Sequence, residues 1–188
     1  MLSARLGHFL DKPLGPFAKK IAIHPNVLTL AGFAITVMAA LIIPANLRLG
    51  GLLILLGGIC DLGDGILART NGRVSNFGAF LDSLLDRYSD SFLFLSLAWY
   101  LGRIGDSTGA FLSIGTMVGA FLVSYARARG EGLGIRSQVG IMERPERIIL
   151  LIFATLTGLI VPVLWVMLVL THITVLQRIY YAWKGLKK

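Results

Sequence analysis

The stretch IILLIFATLTGLIVPVLWVMLVLTHITVL, residues 148–176, holds no charged side chain. A helix that crosses the hydrocarbon of a bilayer needs about 20 mostly apolar residues, so this run is too long for one crossing. It predicts two helices joined by a tight turn at Pro162, spanning 145–161 and 163–184. One long helix kinked at Pro162 is the alternative.

Moving outward, Val27–Ile43 and Leu49–Cys60 are also uncharged, and Phe92–Tyr125 is nearly so. The whole chain is 55% hydrophobic and only 15% charged, with a mean hydropathy of +0.76. A soluble domain carries about 25% charged residues. These features predict an all-α integral membrane protein with six transmembrane helices, over 26–46, 49–70, 78–102, 107–129, 145–161 and 163–184. Helices satisfy their own backbone groups, which lipid requires. Gly50-Gly51, the Gly102–Gly109 stretch and Pro162 are expected to mark the turns on one face.

The net charge is +8, and its placement is uneven. Arg5, Lys12, Lys19 and Lys20 precede the first span; Arg69 and Arg73 follow the second. Arg127, Arg129, Arg136, Arg144 and Arg147 follow the fourth, and Arg178, Lys184, Lys187 and Lys188 close the chain. The other side holds only Arg48 and Arg103. The positive-inside rule then puts both termini and the even-numbered span ends in the cytoplasm.

Residues 1–24 lack the apolar core and cleavage site of a signal peptide. Leu2, Leu6, Phe9, Leu10, Leu14, Phe17 and Ile21 recur at helix-like spacing among basic residues, so 1–24 reads as an interfacial amphipathic helix beside a single domain over 25–188. A frayed leader is the alternative, given Pro13 and Pro16. The single cysteine, Cys60, excludes an internal disulfide and a Cys-based metal site.

Four acids interrupt this apolar pattern in CDLGDGILARTNGRVSNFGAFLDSLLDR, residues 60–87. Asp61 and Asp64 are three apart, Asp82 and Asp86 four apart, and on helices each pair shares a face. Two helices can thus aim four carboxylates at one point. Bare, they would repel; a divalent cation removes the conflict, and oxygen ligands suit Mg²⁺, Mn²⁺ or Ca²⁺. No His or Cys in the cluster points to zinc. Gly63, Gly65, Gly72 and Gly78 permit close approach, and the fork of Arg69 suits phosphate oxygens. Together these describe a pyrophosphate site. The structural alternative is a set of helix-end acids paired with Arg69, Arg73 and Arg87. Asp90 extends the row and is expected to pair with Arg87 or cap the network.

These residues resemble the signature of the CDP-alcohol phosphotransferase family, D-x-x-D-G-x-x-A-R, eight residues, G, three residues, D, three residues, D. Asp61, Asp64, Gly65, Ala68, Arg69, Gly78, Asp82 and Asp86 fill each fixed position. The resemblance implies six spans with a cytoplasmic-side site, and two Mg²⁺ ions (Mn²⁺ being possible) held by Asp61, Asp64, Asp82 and Asp86. It implies that Asp86 is the general base, and that Gly65, Ala68, Arg69, Ser75 and Gly78 bind the CDP-lipid. His24–Thr29 resembles the family's P-N-x-x-T element, which adds Asn26 and Thr29 to those contacts. Taken alone, Pro25-Asn26 would read as an ordinary helix start. The implied reaction is attack of an alcohol on the β-phosphorus of a CDP-linked lipid, with departure of CMP.

The basic stretch SYARARGEGLGIRSQVGIMERPERI, residues 124–147 and Ile148, resembles the phosphatidylinositol phosphate synthase branch and its archaeal ether-lipid counterpart, in S-Y-x-[KR]-A-R and E-R-P-E-R. The resemblance implies inositol 1-phosphate as acceptor, its phosphate held by Ser124, Arg127, Arg147 and Arg178. Without it, the stretch is an ordinary positive-inside loop that attracts anionic lipid. Glycerol 3-phosphate is the second acceptor that such a cationic pocket would take. The expected partners are CDP-diacylglycerol or a CDP-archaeol-type lipid, the polyol phosphate, membrane lipids and a second copy of the chain, with no nucleic acid. Gly109, Gly115 and Gly119 form a candidate dimer face. From another class, buried acids also line cation carriers, but the chain lacks the internal repeat that a carrier would show.

Overall fold

The computed structural model describes residues 23–135 and 139–187. Of the amphipathic segment expected over 1–24, only Ile23 and His24 fall among them. The described residues form six helices and no strand: α1 Pro25–Ile42, α2 Leu47–Thr70, α3 Asn76–Arg103, α4 Ser107–Gly132, α5 Arg144–Thr157 and α6 Ile160–Leu186. Each expected span thus has its helix, with ends displaced by a few residues.

Local chemistry sets the helix starts. His24 Nδ1 accepts from Asn26 N (3.3 Å), Asn46 Oδ1 from Leu49 N (3.1 Å), Ser75 Oγ from Gly78 N (3.0 Å) and Asp106 Oδ1 from Gly109 N (2.7 Å). Each satisfies a backbone donor that the first helical turn leaves unpaired.

Two turn expectations are corrected. The break in 148–176 falls at Gly158, whose φ of +82° closes α5 in the left-handed region; Pro162 lies within the first turn of α6, where its missing N–H removes no helical bond. Gly50 and Gly51 are not a turn but lie inside α2, both buried. A Cβ on Gly50 would stand 2.5 Å from Ile43 Cγ1, and one on Gly51 would collide with Thr155. Their role is close packing of α2 on the end of α1 and on α5.

The exterior is apolar and the interior partly polar. Phe111, Leu41 and Trp99 are exposed, whereas Thr36, Ser89, Ser113, Thr116, Thr155, Thr171 and Thr174 are buried. Hydroxyls tie helices together: Ser96 donates to Ala40 O and Ser113 donates to Phe94 O (2.7 Å). Helices α1, α2, α4 and α6 are long and apolar enough to cross a membrane; the architecture is that of a multi-pass membrane protein. Two of the six expected spans fall short of that description for physical reasons. α3 has 28 residues but carries Asp82, Asp86, Arg87 and Asp90. α5 has only 14 residues, ~21 Å at 1.5 Å per residue.

α1 packs along both α2 and α3, α4 joins α3 and α6, and α5 lies against α2 and α6. The apolar core of Ile43, Ile54, Leu93, Phe94, Leu97, Leu151, Leu164 and Met167 gathers around the C-terminal half of α3. Asp82 and Asp86 occupy its opposite half, and Asp90 lies at its middle. Gly115 and Gly119 are corrected as a dimer face: a Cβ on Gly115 would meet Leu168, and one on Gly119 would meet Thr171 and His172, all of α6 in the same chain. A Cβ on Gly109 would meet Asp106 and Leu101.

Candidate active site

The C-terminal half of α2 carries Asp61, Asp64 and Arg69; the N-terminal half of α3 carries Asp82 and Asp86, with Asp90 at its middle. Between them the chain reverses through Asn71–Ser75, with Gly72 at φ +63° and Arg73 N donating to Ala68 O (2.9 Å). The reversal makes two stretches that are neighbours in sequence into opposite walls. One carboxylate oxygen from each of Asp61, Asp64 and Asp82 lies within 4.8 Å of the others.

At that separation each like-charged pair repels by roughly 3–4 kcal/mol at an effective dielectric of ~20. Asp64 is buried, and its Oδ2 has no hydrogen-bond partner. A carboxylate oxygen in that state, beside two more carboxylates and without nitrogen or sulfur ligands, fits a hard divalent cation.

Asp86 lies beside this trio, and Arg144 joins it to Asp61. Arg144 Nη1 lies 2.9 Å from Asp86 Oδ1 and 2.6 Å from Asp61 Oδ2. Arg87 is more distant, 3.8 Å from Asp86. The pairing of these acids with Arg87 is therefore displaced by one with Arg144, a residue that the sequence presented only as part of the E-R-P-E-R element. Asp90 is also corrected: its Oδ2 accepts from Arg147 Nη2 at 2.7 Å, while Arg87 turns back to the carbonyl and hydroxyl of Ser83.

The CDP-lipid candidates form two groups. Asn26 Oδ1 and Ser75 Oγ crowd Gly78, at 3.1 and 3.0 Å from where a Cβ would be. Arg69 folds over Gly65, its Nη1 3.1 Å from the corresponding point there. Thr29 donates to Pro25 O (3.2 Å) one turn into α1. Ala68 contributes its carbonyl to the reversal.

Across from the acids, one cavity of about 430 Å³ brings the remaining candidates together. Asp61, Asp82 and Asp86 line it with Ser124, Arg127, Arg147 and Arg178. Arg178 is buried, and each of its three nitrogens donates once: Nε to Val139 O (3.0 Å), Nη1 to Val123 O and Nη2 to Glu143 Oε1 (2.9 Å). Arg127 is exposed and pairs with Glu131 at 3.0 Å. The loop before α5 is pinned to α6, where Thr174 Oγ1 accepts from Met142 N (3.0 Å) and Ile141 N (3.3 Å). Five guanidinium groups and six carboxylates line the cavity. It is thus nearly balanced in charge, and a divalent cation at the Asp trio would tip it towards anions.

The comparisons agree with this geometry. The family model described as CDP-alcohol phosphatidyltransferase matches residues 22–177. Archaetidylinositol phosphate synthase of Pyrococcus horikoshii is 38% identical over 183 residues, 95% of each chain. The crystal structure of Mycobacterium tuberculosis phosphatidylinositol phosphate synthase with CDP-DAG bound matches with a TM-score of 0.82 at 28% identity, over 92% of this chain and 93% of that one. The same enzyme in complex with manganese and citrate matches with a TM-score of 0.83 at 28% identity, over 92% and 88%.

Proposed function

The chain belongs to the CDP-alcohol phosphatidyltransferase family, and we propose that it transfers the phosphatidyl group of a CDP-linked lipid, or its ether-lipid equivalent, to inositol 1-phosphate with release of CMP. It is an enzyme of phospholipid biosynthesis. One observation carries the choice of acceptor: a single cavity holds the metal-type carboxylates on one wall and Ser124, Arg127, Arg147 and Arg178 on the other. A phosphorylated polyol needs such cations, whereas serine, choline or free inositol does not. The names of the archaeal and mycobacterial relatives support inositol phosphate over glycerol 3-phosphate.

Asp61, Asp64 and Asp82 would hold a divalent ion, with Asp86 beside them for a second. Mg²⁺ or Mn²⁺ bound there supplies positive charge to the donor's diphosphate and to the departing CMP. Asn26, Thr29, Gly65, Ala68, Arg69, Ser75 and Gly78 bind the CDP end; the glycines let backbone and ligand approach. Asp86 accepts the proton of the acceptor hydroxyl as its oxygen attacks the β-phosphorus and the bond to CMP breaks. Ser124, Arg127, Arg147 and Arg178 hold the acceptor phosphate and offset its repulsion from the donor. In this reading all six helices span the membrane, with both termini and the site at the cytoplasmic face. The basic residues clustered at that face meet anionic lipid rather than nucleic acid. The lipid tails pass between helices, and the working unit is a homodimer.

The test is CMP release by purified protein with Mg²⁺, with CDP-diacylglycerol or CDP-archaeol as donor, and with inositol 1-phosphate, glycerol 3-phosphate or free inositol as acceptor. Turnover is expected with inositol 1-phosphate. Faster turnover with glycerol 3-phosphate would reassign the acceptor, and no CMP with any pair would overturn the reading.

A further inference from the structure

Arg144 stands at the first turn of α5, between the turn that α6 pins and Pro145. Its Nη1 alone touches both Asp61 Oδ2, at 2.6 Å, and Asp86 Oδ1, at 2.9 Å. Those two acids come from different helices, and one nitrogen bridging them does what a cation between two carboxylates does. The contact is not the two-pronged fork by which arginine grips a carboxylate most firmly, and the Arg144 side chain is 21% exposed, against 2% for Arg147. Arg147, one turn along, instead holds Asp90 in a buried pair. Arg144 is therefore the more exchangeable of the two.

We propose that Arg144 is an internal counter-ion that holds Asp61 and Asp86 in the ion-free protein and must let go of both before they can ligate a second divalent ion. The inference rests on the reading of the acids as a metal site. On this view the first ion takes Asp64, Asp82 and the Asp61 oxygen that Arg144 does not hold, Oδ1. The second ion competes with the guanidinium for Asp61 and Asp86. Once freed, Arg144 remains in the cavity, where its charge is available to an anionic substrate. The proposal makes Arg144 a positioning residue that sets the order of loading.

The test counts Mn²⁺ by electron paramagnetic resonance on the full chain in detergent, for the wild type, Arg144→Gln and Arg144→Lys, without substrate. Arg144→Gln is expected to bind the second ion at least ~10-fold more tightly with the first nearly unchanged, and its ion-free melting temperature is expected to fall and recover on adding Mn²⁺. Arg144→Lys keeps the charge but not the reach, and should shift in the same direction by less; it serves alone if the Gln variant does not fold. A plain structural tether would lower stability with and without Mn²⁺ and leave both affinities unchanged, which would overturn the proposal. Wild-type protein that binds no Mn²⁺ would instead overturn the metal reading beneath it.

Discussion

Arg147 Nη2 lies 2.7 Å from Asp90 Oδ2, and both side chains are buried. One turn away, Arg144 pairs with Asp86 at 2.9 Å. Two arginines spaced i,i+3 on α5 thus face two aspartates spaced i,i+4 on α3, and the helices meet through charge.

Removing one member of the inner pair leaves an uncompensated buried charge, which costs about 3–5 kcal/mol. Asp90→Asn should lower the melting temperature in detergent by several degrees and raise the acceptor KM several-fold, with the donor KM little changed. An unaltered melt would show that the pair bears no structural load.

Asp86 and Asp64 should separate by experiment. Asp86→Asn removes the proposed base, so kcat should fall by roughly 10²–10⁴-fold, while the first Mn²⁺ still binds. Asp64→Asn removes a buried ligand of the trio, and Mn²⁺ binding itself should fail. Full turnover in Asp86→Asn would remove it as the base.

Arg127 and its partner Glu131 are both exposed, and exposed pairs contribute about 0–1 kcal/mol. Arg127→Ala should leave thermal stability nearly unchanged while raising the acceptor KM about tenfold, and Arg127→Lys should restore part of the loss. If donor affinity suffers instead, Arg127 serves the nucleotide side.

Small-to-large changes on α4 should differ by position. A Cβ on Gly119 would meet His172 Cε1 at 2.9 Å as well as Thr171, so Gly119→Ala should cost about 1–3 kcal/mol. At Gly115 the neighbour is Leu168 Cδ1 at 3.0 Å, the end of a flexible side chain, and Gly115→Ala should be nearly neutral. Equal melting temperatures would refute the assigned packing.

Much of this molecule is legible in its sequence because bilayer length and paired acid spacing are local signals. The six helices lie close to their expected positions, and Asp61, Asp64 and Asp82 converge as their i,i+3 and reversal geometry requires. The misreadings concern which distant group answers which. Gly50-Gly51 looked like a turn because its partners, Ile43 and Thr155, are set by the tertiary fold. Pro162 invites the break, yet Gly158, two residues before α6 begins at Ile160, supplies the left-handed backbone. Nearness in sequence favours Arg87 as the partner of Asp90, yet Arg147 lies opposite it in space. The spacing of Arg144 and Arg147 against Asp86 and Asp90 was the available clue to that match.

α5 touches α2 and α6 by packing, and two ion pairs join it to α3, one of them through Asp86, which the proposed chemistry uses. The same carboxylate thus helps dock a helix and belongs to the proposed reaction centre. A descendant that abandoned catalysis could not simply let these acids drift, because neutralising one side alone would strand a guanidinium in a low-dielectric interior. Its decay would have to replace charges in matched sets, and inactive cousins of this architecture should therefore lose Asp90 and Arg147 together or keep both.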